Sequence, residues 1–217
     1  MSTTEKTTPK TTPKTTIPRT TAPRTTAPKT TTGRTTTGNA ADGGTSGGTG
    51  TTVFTFMESP FGRLMLSGVR PVDGGPAALA TVTAPGQKYA LAEPADDWEH
   101  DPEALAEPVA QLTAYFAGER TRFDFPLAPV GTEFRRRIWE ALDRIPYGET
   151  VTYGRLAELA GESPRAVRAV GGAVGANPLL IVRPCHRVVG ANGALTGFAA
   201  GTDRKRWLLD LESGALF

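Results

Sequence analysis

Cysteine and histidine are nearly absent from these 217 residues: Cys185 stands alone, with only His100 and His186 beside it in type. A single thiol excludes an intrachain disulfide. With two imidazoles it leaves no dense soft-ligand cluster for a structural zinc ion, so no metal is expected. No apolar run approaches the ~20 residues that cross a bilayer. The N-terminal stretch also lacks the apolar core of a secretory signal. A soluble, cytoplasmic protein is expected, in a reducing compartment where a free thiol persists. No glycine-rich phosphate loop is present either. Asn192-Gly193-Ala194 is too short and isolated to count as one, so no nucleotide cofactor is expected.

Aromatic residues are missing from residues 1–50, where threonine dominates. A degenerate Thr-Thr-x-Pro-Lys/Arg repeat places Lys10, Lys14, Arg19, Arg24, Lys29 and Arg34 at a spacing of four and then five. Such a segment has too little apolar surface to offset the entropy of ordering it, and reads as a disordered tail. Gly43-Gly44-Thr45-Ser46-Gly47-Gly48 reads as a flexible hinge. The tail carries seven basic and two acidic residues. A basic arm on nucleic acid and an inert solvated extension both fit.

The chain beyond the hinge is charge-polarised. Residues 51–130 hold 5 basic and 11 acidic residues, and residues 131–217 hold 12 basic and 9 acidic. The formal net charge of +2 hides this division. A polyanion would dock on the C-terminal half.

Alternation at 53–56 and 64–66, separated by Ser59-Pro60-Phe61-Gly62, predicts a β-hairpin. Residues 79–82 and 89–91 extend the sheet, with Pro85-Gly86 as a turn. Leu105, Val109, Leu112, Tyr115 and Phe116 predict a helix over 103–116, started or kinked by Pro108 and ended at Gly118. Thr132 caps a second amphipathic helix carrying Phe134, Ile138 and Leu142, which Ile145-Pro146-Tyr147-Gly148 stops. A helix over 153–160, Gly161, and a helix over 164–174 with Ser163 as cap and Pro164 at its first position have the layout of a helix-turn-helix. The second of these is rich in small residues. Gly171 and Gly172 each cost roughly 1 kcal/mol relative to alanine. Close helix packing is one reason for such a surface. Insertion into a DNA minor groove, with Arg165 and Arg168 projecting, is the other.

Residues 181–189 hold the thiol in a buried strand or loop. Pro184 fixes φ just before it and removes a backbone donor. Arg183, Arg187 and the imidazole of His186 are expected to favour the thiolate. An inert buried cysteine and a satisfied core histidine explain the same stretch. A thiol hydrolase would need Cys185 and His186 in direct contact. Neighbours on a strand face opposite ways, so a water relay suits them better.

Pro184-Cys185-His186-Arg187-Val188-Val189 resembles the active-site signature of the O6-alkylguanine-DNA alkyltransferases, also called methylated-DNA–protein-cysteine methyltransferases. Gly131-Thr132-Glu133-Phe134, Ile138-Trp139-Glu140-Ala141-Leu142, Arg168-Ala169-Val170-Gly171, Asn177-Pro178, Gly193, Lys205, Leu208-Leu209 and Glu212 fall in the same order and spacing. Tyr115-Phe116-Ala117-Gly118 resembles the end of the family's first domain, while residues 68–105 match poorly. The resemblance implies an α+β fold behind the disordered tail of residues 1–50. Residues 51–130 would form a small ribonuclease-H-like α/β domain. Residues 131–217 would form a mainly helical, winged-helix-like domain with the helix-turn-helix.

The resemblance also implies the chemistry. A monomer would bind double-stranded DNA containing O6-alkylguanine, flip the nucleotide out and move the alkyl group to Cys185 once, without a cofactor. O4-alkylthymine would serve as a second substrate. His186 would take the thiol proton through a water, Glu212 would orient His186, and Asn177 would hold backbone near the thiol. Arg168 would fill the gap in the base stack, with Arg165 beside it. Tyr153 would press on a phosphate and bond the base. The carbonyls of Cys185 and Val188 and the amide of Ala199 would read the guanine. Relatives often carry glutamine at Arg135, tyrosine at Phe198 and glycine at Ala199 and Ala200. The two extra methyl groups would narrow the pocket and slow bulky adducts.

Overall fold

Ser59, Pro60, Phe61 and Gly62 close the predicted hairpin. The Gly62 amide donates to Ser59 O at 3.0 Å, with Gly62 in the left-handed region at φ 88°. The structure, a computed structural model, describes residues 50–88 and 93–216. The tail over 1–49 and the strand expected at 89–91 lie outside these residues. Gly50, assigned to the tail by sequence, is already the first residue of a strand.

The hairpin joins β1 (Gly50–Met57) to β2 (Leu64–Pro71), in antiparallel register with Val53 opposite Gly68. β1 alternates, burying Val53, Thr55 and Met57. β2 is buried on both faces from Leu64 to Gly68. The predicted third strand is β3 (Ala78–Thr83), antiparallel to β2. β4 (Glu99–His100), which has no sequence signal, pairs parallel to β1 for two residues. The sheet order is β3-β2-β1-β4.

α1 (Ala106–Phe116) starts later than the 103–116 expected. Pro108 lies in its first turn, where a missing N–H costs nothing. At the other end Gly118, at φ 74°, donates to Tyr115 O and Glu119 donates to Ala114 O, a Schellman stop.

Thr132 caps α2 (Glu133–Leu142) by accepting from the Arg135 amide at 3.3 Å. β5 (Val151–Thr152) leads directly into α3 (Tyr153–Leu159), capped by the Thr152 side chain, and Gly161 ends that helix at φ 74°. The second predicted helix is divided. Pro164–Ala166 is a 3-10 turn capped by Ser163, and α4 (Val167–Gly175) follows. β6 (Val188–Val189) pairs parallel to β5, and α5 (Thr202–Glu212) closes the chain. No helix among the described residues is long and apolar enough to cross a membrane.

One apolar core runs from Val53 and Leu66 in the sheet through Leu112 and Tyr115 of α1 to Ile138, Val170 and Leu208. Trp139 sits at its centre, 1% exposed, and its Nε1–H donates to Ala173 O of α4 at 2.8 Å. α2 therefore sets the height of α4 by a directional bond as well as by packing. Trp139→Phe removes that donor and leaves Ala173 O only the longer bond from the Ala176 amide at 3.2 Å. We expect a loss of about 1 kcal/mol from the hydrogen bond, with more from the volume removed, in urea denaturation; an unchanged midpoint would show that the bond does not position α4.

Candidate active site

The backbone leading to the thiol is unusual. Val182 N donates to Leu180 O at 2.8 Å across Ile181, whose φ is 72°. This is a γ-turn of the strained hand, occupied by a β-branched residue. Cys185 N then donates to Arg183 O at 2.7 Å across Pro184, at φ −78° and ψ 61°, the relaxed inverse γ-turn. Asn177 holds both ends of this path. Its Nδ2 donates to Leu179 O at 3.2 Å and Arg183 O at 2.9 Å, and its Oδ1 accepts from Leu179 N. A local staple of this kind can hold strain at a functional turn.

Cys185–Arg187 is a 3-10 turn and not the strand or loop expected from sequence. The opposite-face argument for a strand therefore does not apply to Cys185 and His186. Cys185 is 4% exposed and His186 is 0% exposed. Burial pushes the thiol pKa up, while the Asn177 side chain and the charge of Lys205 oppose that. The expected contribution of Arg183 and Arg187 to the thiolate is corrected by their partners. Arg187 faces Glu212, and Arg183 lies 3.6 Å from Asp143. Lys205 is the cation that serves Cys185. It is fully buried, with Nζ donating to Val188 O at 2.5 Å and Thr196 O at 2.8 Å.

Glu212, near the end of α5, gathers donors from across the fold. His186 Nε2 lies 2.8 Å from Oε1. Arg187 grips both oxygens, Nη2 to Oε1 and Nε to Oε2, each at 2.8 Å. The Gly148 amide donates to Oε2 at 3.2 Å, and the Tyr115 hydroxyl donates to Oε1 at 2.7 Å. Burial alone would raise this carboxyl's pKa, but the hydrogen bonds from His186 and Arg187 hold it at about 2. Burial pushes the His186 imidazole down from its ordinary value. The pull of Glu212 opposes this, and the charges of Arg187 and Lys205 add to it. We read the pair as a carboxylate facing a neutral ring, because Arg187 already neutralises Glu212. Nε2 then carries the proton, and Nδ1 is a free acceptor. Among the described residues His186 Nδ1 is buried without a hydrogen-bond partner.

Tyr153 is partly buried and bonds Thr196 O at 3.2 Å. Burial raises its hydroxyl pKa, and the charge of the Cys185 thiolate would raise it further. Arg165 and Arg168 are exposed, and neither side chain is paired among the described residues. The Val188 carbonyl already accepts from Lys205, and Cys185 O accepts from the Val188 amide. Each retains a second lone pair. A cavity of about 730 Å³ adjoins the site, lined by Lys88, Gly172, Gly175, Asn177, Phe198 and Ala199 among others. A Cβ on Gly172 or Gly175 would meet nothing within 4 Å, so open space and not helix packing accounts for these glycines. Ala199 lines the cavity, whereas Ala200 is buried with its carbonyl bound by Arg204. The expected narrowing therefore rests on Ala199 alone.

Sequence reasoning missed Tyr115 and the role of Arg187, and placed Lys205 in a pattern without giving it work. A basic or phenolic side chain in an apolar helix gives no sign of its distant partner.

Two family models match the chain. One, described as 6-O-methylguanine DNA methyltransferase, DNA binding domain, covers residues 133–214. The other, 6-O-methylguanine DNA methyltransferase, ribonuclease-like domain, covers residues 79–129. The methylated-DNA–protein-cysteine methyltransferase of Mycolicibacterium paratuberculosis is 51% identical over 157 residues, 72% of this chain and 89% of the relative. That of Methanosarcina acetivorans is 47% identical over 159 residues, 73% and 97% respectively. The crystal structure of Mycobacterium tuberculosis OGT in complex with DNA superposes with a TM-score of 0.66 at 44% identity, covering 75% of this chain and 93% of that one.

The depressed carboxyl has a consequence for stability. A group at about 2 when folded and at about 4.3 when unfolded stabilises the fold fully above the higher value. That contribution fades as pH falls toward the lower one. Unfolding free energies of the wild type and of Glu212→Gln from urea titration should therefore differ most above about pH 5 and converge by about 3 kcal/mol toward about pH 2. Parallel curves would mean that Glu212 is not held as a carboxylate.

Proposed function

The chain belongs to the methylated-DNA–protein-cysteine methyltransferase family, and from that premise we propose how its own residues carry the reaction. The protein acts in DNA repair, moving a methyl group from damaged DNA to a protein cysteine. Cys185 is the acceptor, since it is the only cysteine in the chain. The observation that carries this reading is the buried line from Glu212 to His186 Nε2, with His186 Nδ1 left unpaired next to the thiol's own turn.

An alkyl group on guanine O6 lies inside the duplex, so the nucleotide must leave the stack, at a cost of a few kcal/mol. The open glycine face of α4 lies in the minor groove, and Arg168 enters the space the base vacates, with Arg165 on the backbone. Tyr153 turns from Thr196 O toward the flipped base. The second lone pairs of the Cys185 and Val188 carbonyls accept from the guanine amino group, and the Ala199 amide donates to O6. Phe198 and Ala199 form the rim.

The thiol proton passes through one water to His186 Nδ1, and the resulting charge is stabilised by Glu212. The Cys185 sulfur then attacks the methyl carbon. The carbon–O6 bond breaks as the carbon–sulfur bond forms, and guanine leaves as an anion that takes up a proton. Lys205, through Val188 O and Thr196 O, braces both sides of the pocket, and its charge favours loss of the thiol proton. The thioether has no good leaving group, so each molecule acts once. O4-methylthymine, which presents the same alkyl–oxygen bond, is a second substrate. The protein acts as a monomer in the cytoplasm. The division near residue 130 separates a supporting sheet domain from the DNA-binding domain.

The test is stoichiometric. The protein is incubated with excess duplex oligonucleotide containing O6-methylguanine, and intact and peptide masses are read. One methyl group per protein, on the peptide holding Cys185 and absent in Cys185→Ala, is expected. Continued turnover, or no transfer, would overturn the reading.

A further inference from the structure

Glu212 Oε1 is crowded. It receives the Tyr115 hydroxyl at 2.7 Å, Arg187 Nη2 at 2.8 Å and His186 Nε2 at 2.8 Å. An oxygen with two lone pairs serves three donors, so each weakens the hold of the others. Tyr115 is the one donor of the three that comes from the sheet half of the chain, on α1. Its oxygen also lies 3.5 Å from His186 Nε2 itself. The ring is fully buried and fixed by edge contacts with Phe116 and Tyr147 and a tilted contact with Phe123.

We propose that Tyr115 is a positioning residue for the proton relay, tuning through Glu212 Oε1 how strongly the carboxylate draws on His186. The inference rests on the relay proposed above and gives the sheet half a part in the reaction. Burial and the neighbouring carboxylate push the Tyr115 hydroxyl above its ordinary range, so it remains a donor wherever the protein is folded. It therefore acts as a fixed dipole and does not titrate.

The direction of the effect follows from the groups around the carboxylate. Arg187 and His186 face it from the 3-10 turn, Gly148 N and Tyr147 from the connection after α2, and Tyr115 from α1; Lys205 of α5 acts on His186. Removing the Tyr115 hydroxyl leaves Oε1 less neutralised. The carboxylate then stabilises a protonated His186 more strongly, and a protonated ring cannot accept the thiol proton. Transfer should fail at a higher pH than in the wild type. A stronger phenol donor should do the reverse.

The experiment measures the first-order rate of methyl transfer from O6-methylguanine duplex across pH, and DNA affinity separately, for three proteins. Tyr115→Phe keeps the ring and should move the acid limb of the profile up by about half a pH unit or more. 3-Fluorotyrosine placed at position 115 strengthens the donor and should move the limb down. DNA affinity should not change in either. Limbs that stay in place, whatever happens to rate or melting temperature, would overturn the proposal. If the phenylalanine variant loses transfer at every pH, the fluorotyrosine limb decides. A wild-type protein that transfers no methyl at any pH would reject the relay reading itself, which separates the two failures.

Discussion

The buried carboxylate of Glu212 is the constraint on which the other parts depend. An ion taken out of water must find partners or be neutralised, and breaking a buried pair costs roughly 3–5 kcal/mol. Here the partners come from α1, from the connection after α2, and from the turn that carries the thiol. Satisfying one charge therefore forces distant segments to meet at one point. That meeting point also gives His186 a defined tautomer. Stability and chemistry share the same bonds, so a change that disturbs one disturbs the other.

The thiol itself is not electrostatically primed in the way its flanking arginines suggest. Burial raises its pKa, and the Asn177 side chain, the charge of Lys205 and the backbone amides of Cys185 and His186 do not overcome that. A resting thiol, shielded and mostly protonated, resists adventitious alkylation. In the reaction proposed above, activation then falls to His186. The strained turn at Ile181 and the staple from Asn177 hold the backbone before the thiol, while Gly172 and Gly175 of α4 leave open space along the cavity.

Much of this was legible in the sequence because it is local. Thr132 and Ser163 announced their helices as caps, Gly118 and Gly161 ended theirs, and Ser59-Pro60-Phe61-Gly62 marked its hairpin. The motif around Cys185 pointed to its chemistry, and Glu212 was found by resemblance. What stayed hidden depends on tertiary contact. β4 has two residues and no pattern of its own. Arg187 looks like a partner of the thiol in the sequence, yet its guanidinium grips Glu212. Tyr115 looks like one more apolar-face residue, since its hydroxyl matters only against a carboxylate 97 positions away. The 3-10 turn at Cys185 was hidden because two γ-turns, one of them strained, set it up.

The central claim is that burial and the charges of Arg187 and Lys205 keep His186 neutral, while its bond to Glu212 fixes the proton on Nε2 and leaves a free lone pair on Nδ1. Nitrogen-15 NMR of the imidazole in the free protein reads this directly. At about pH 7 the Nε2–H tautomer is predicted, with protonation only below the ordinary histidine value of about 6.5. An imidazolium at that pH, or a neutral ring protonated on Nδ1, would contradict the account.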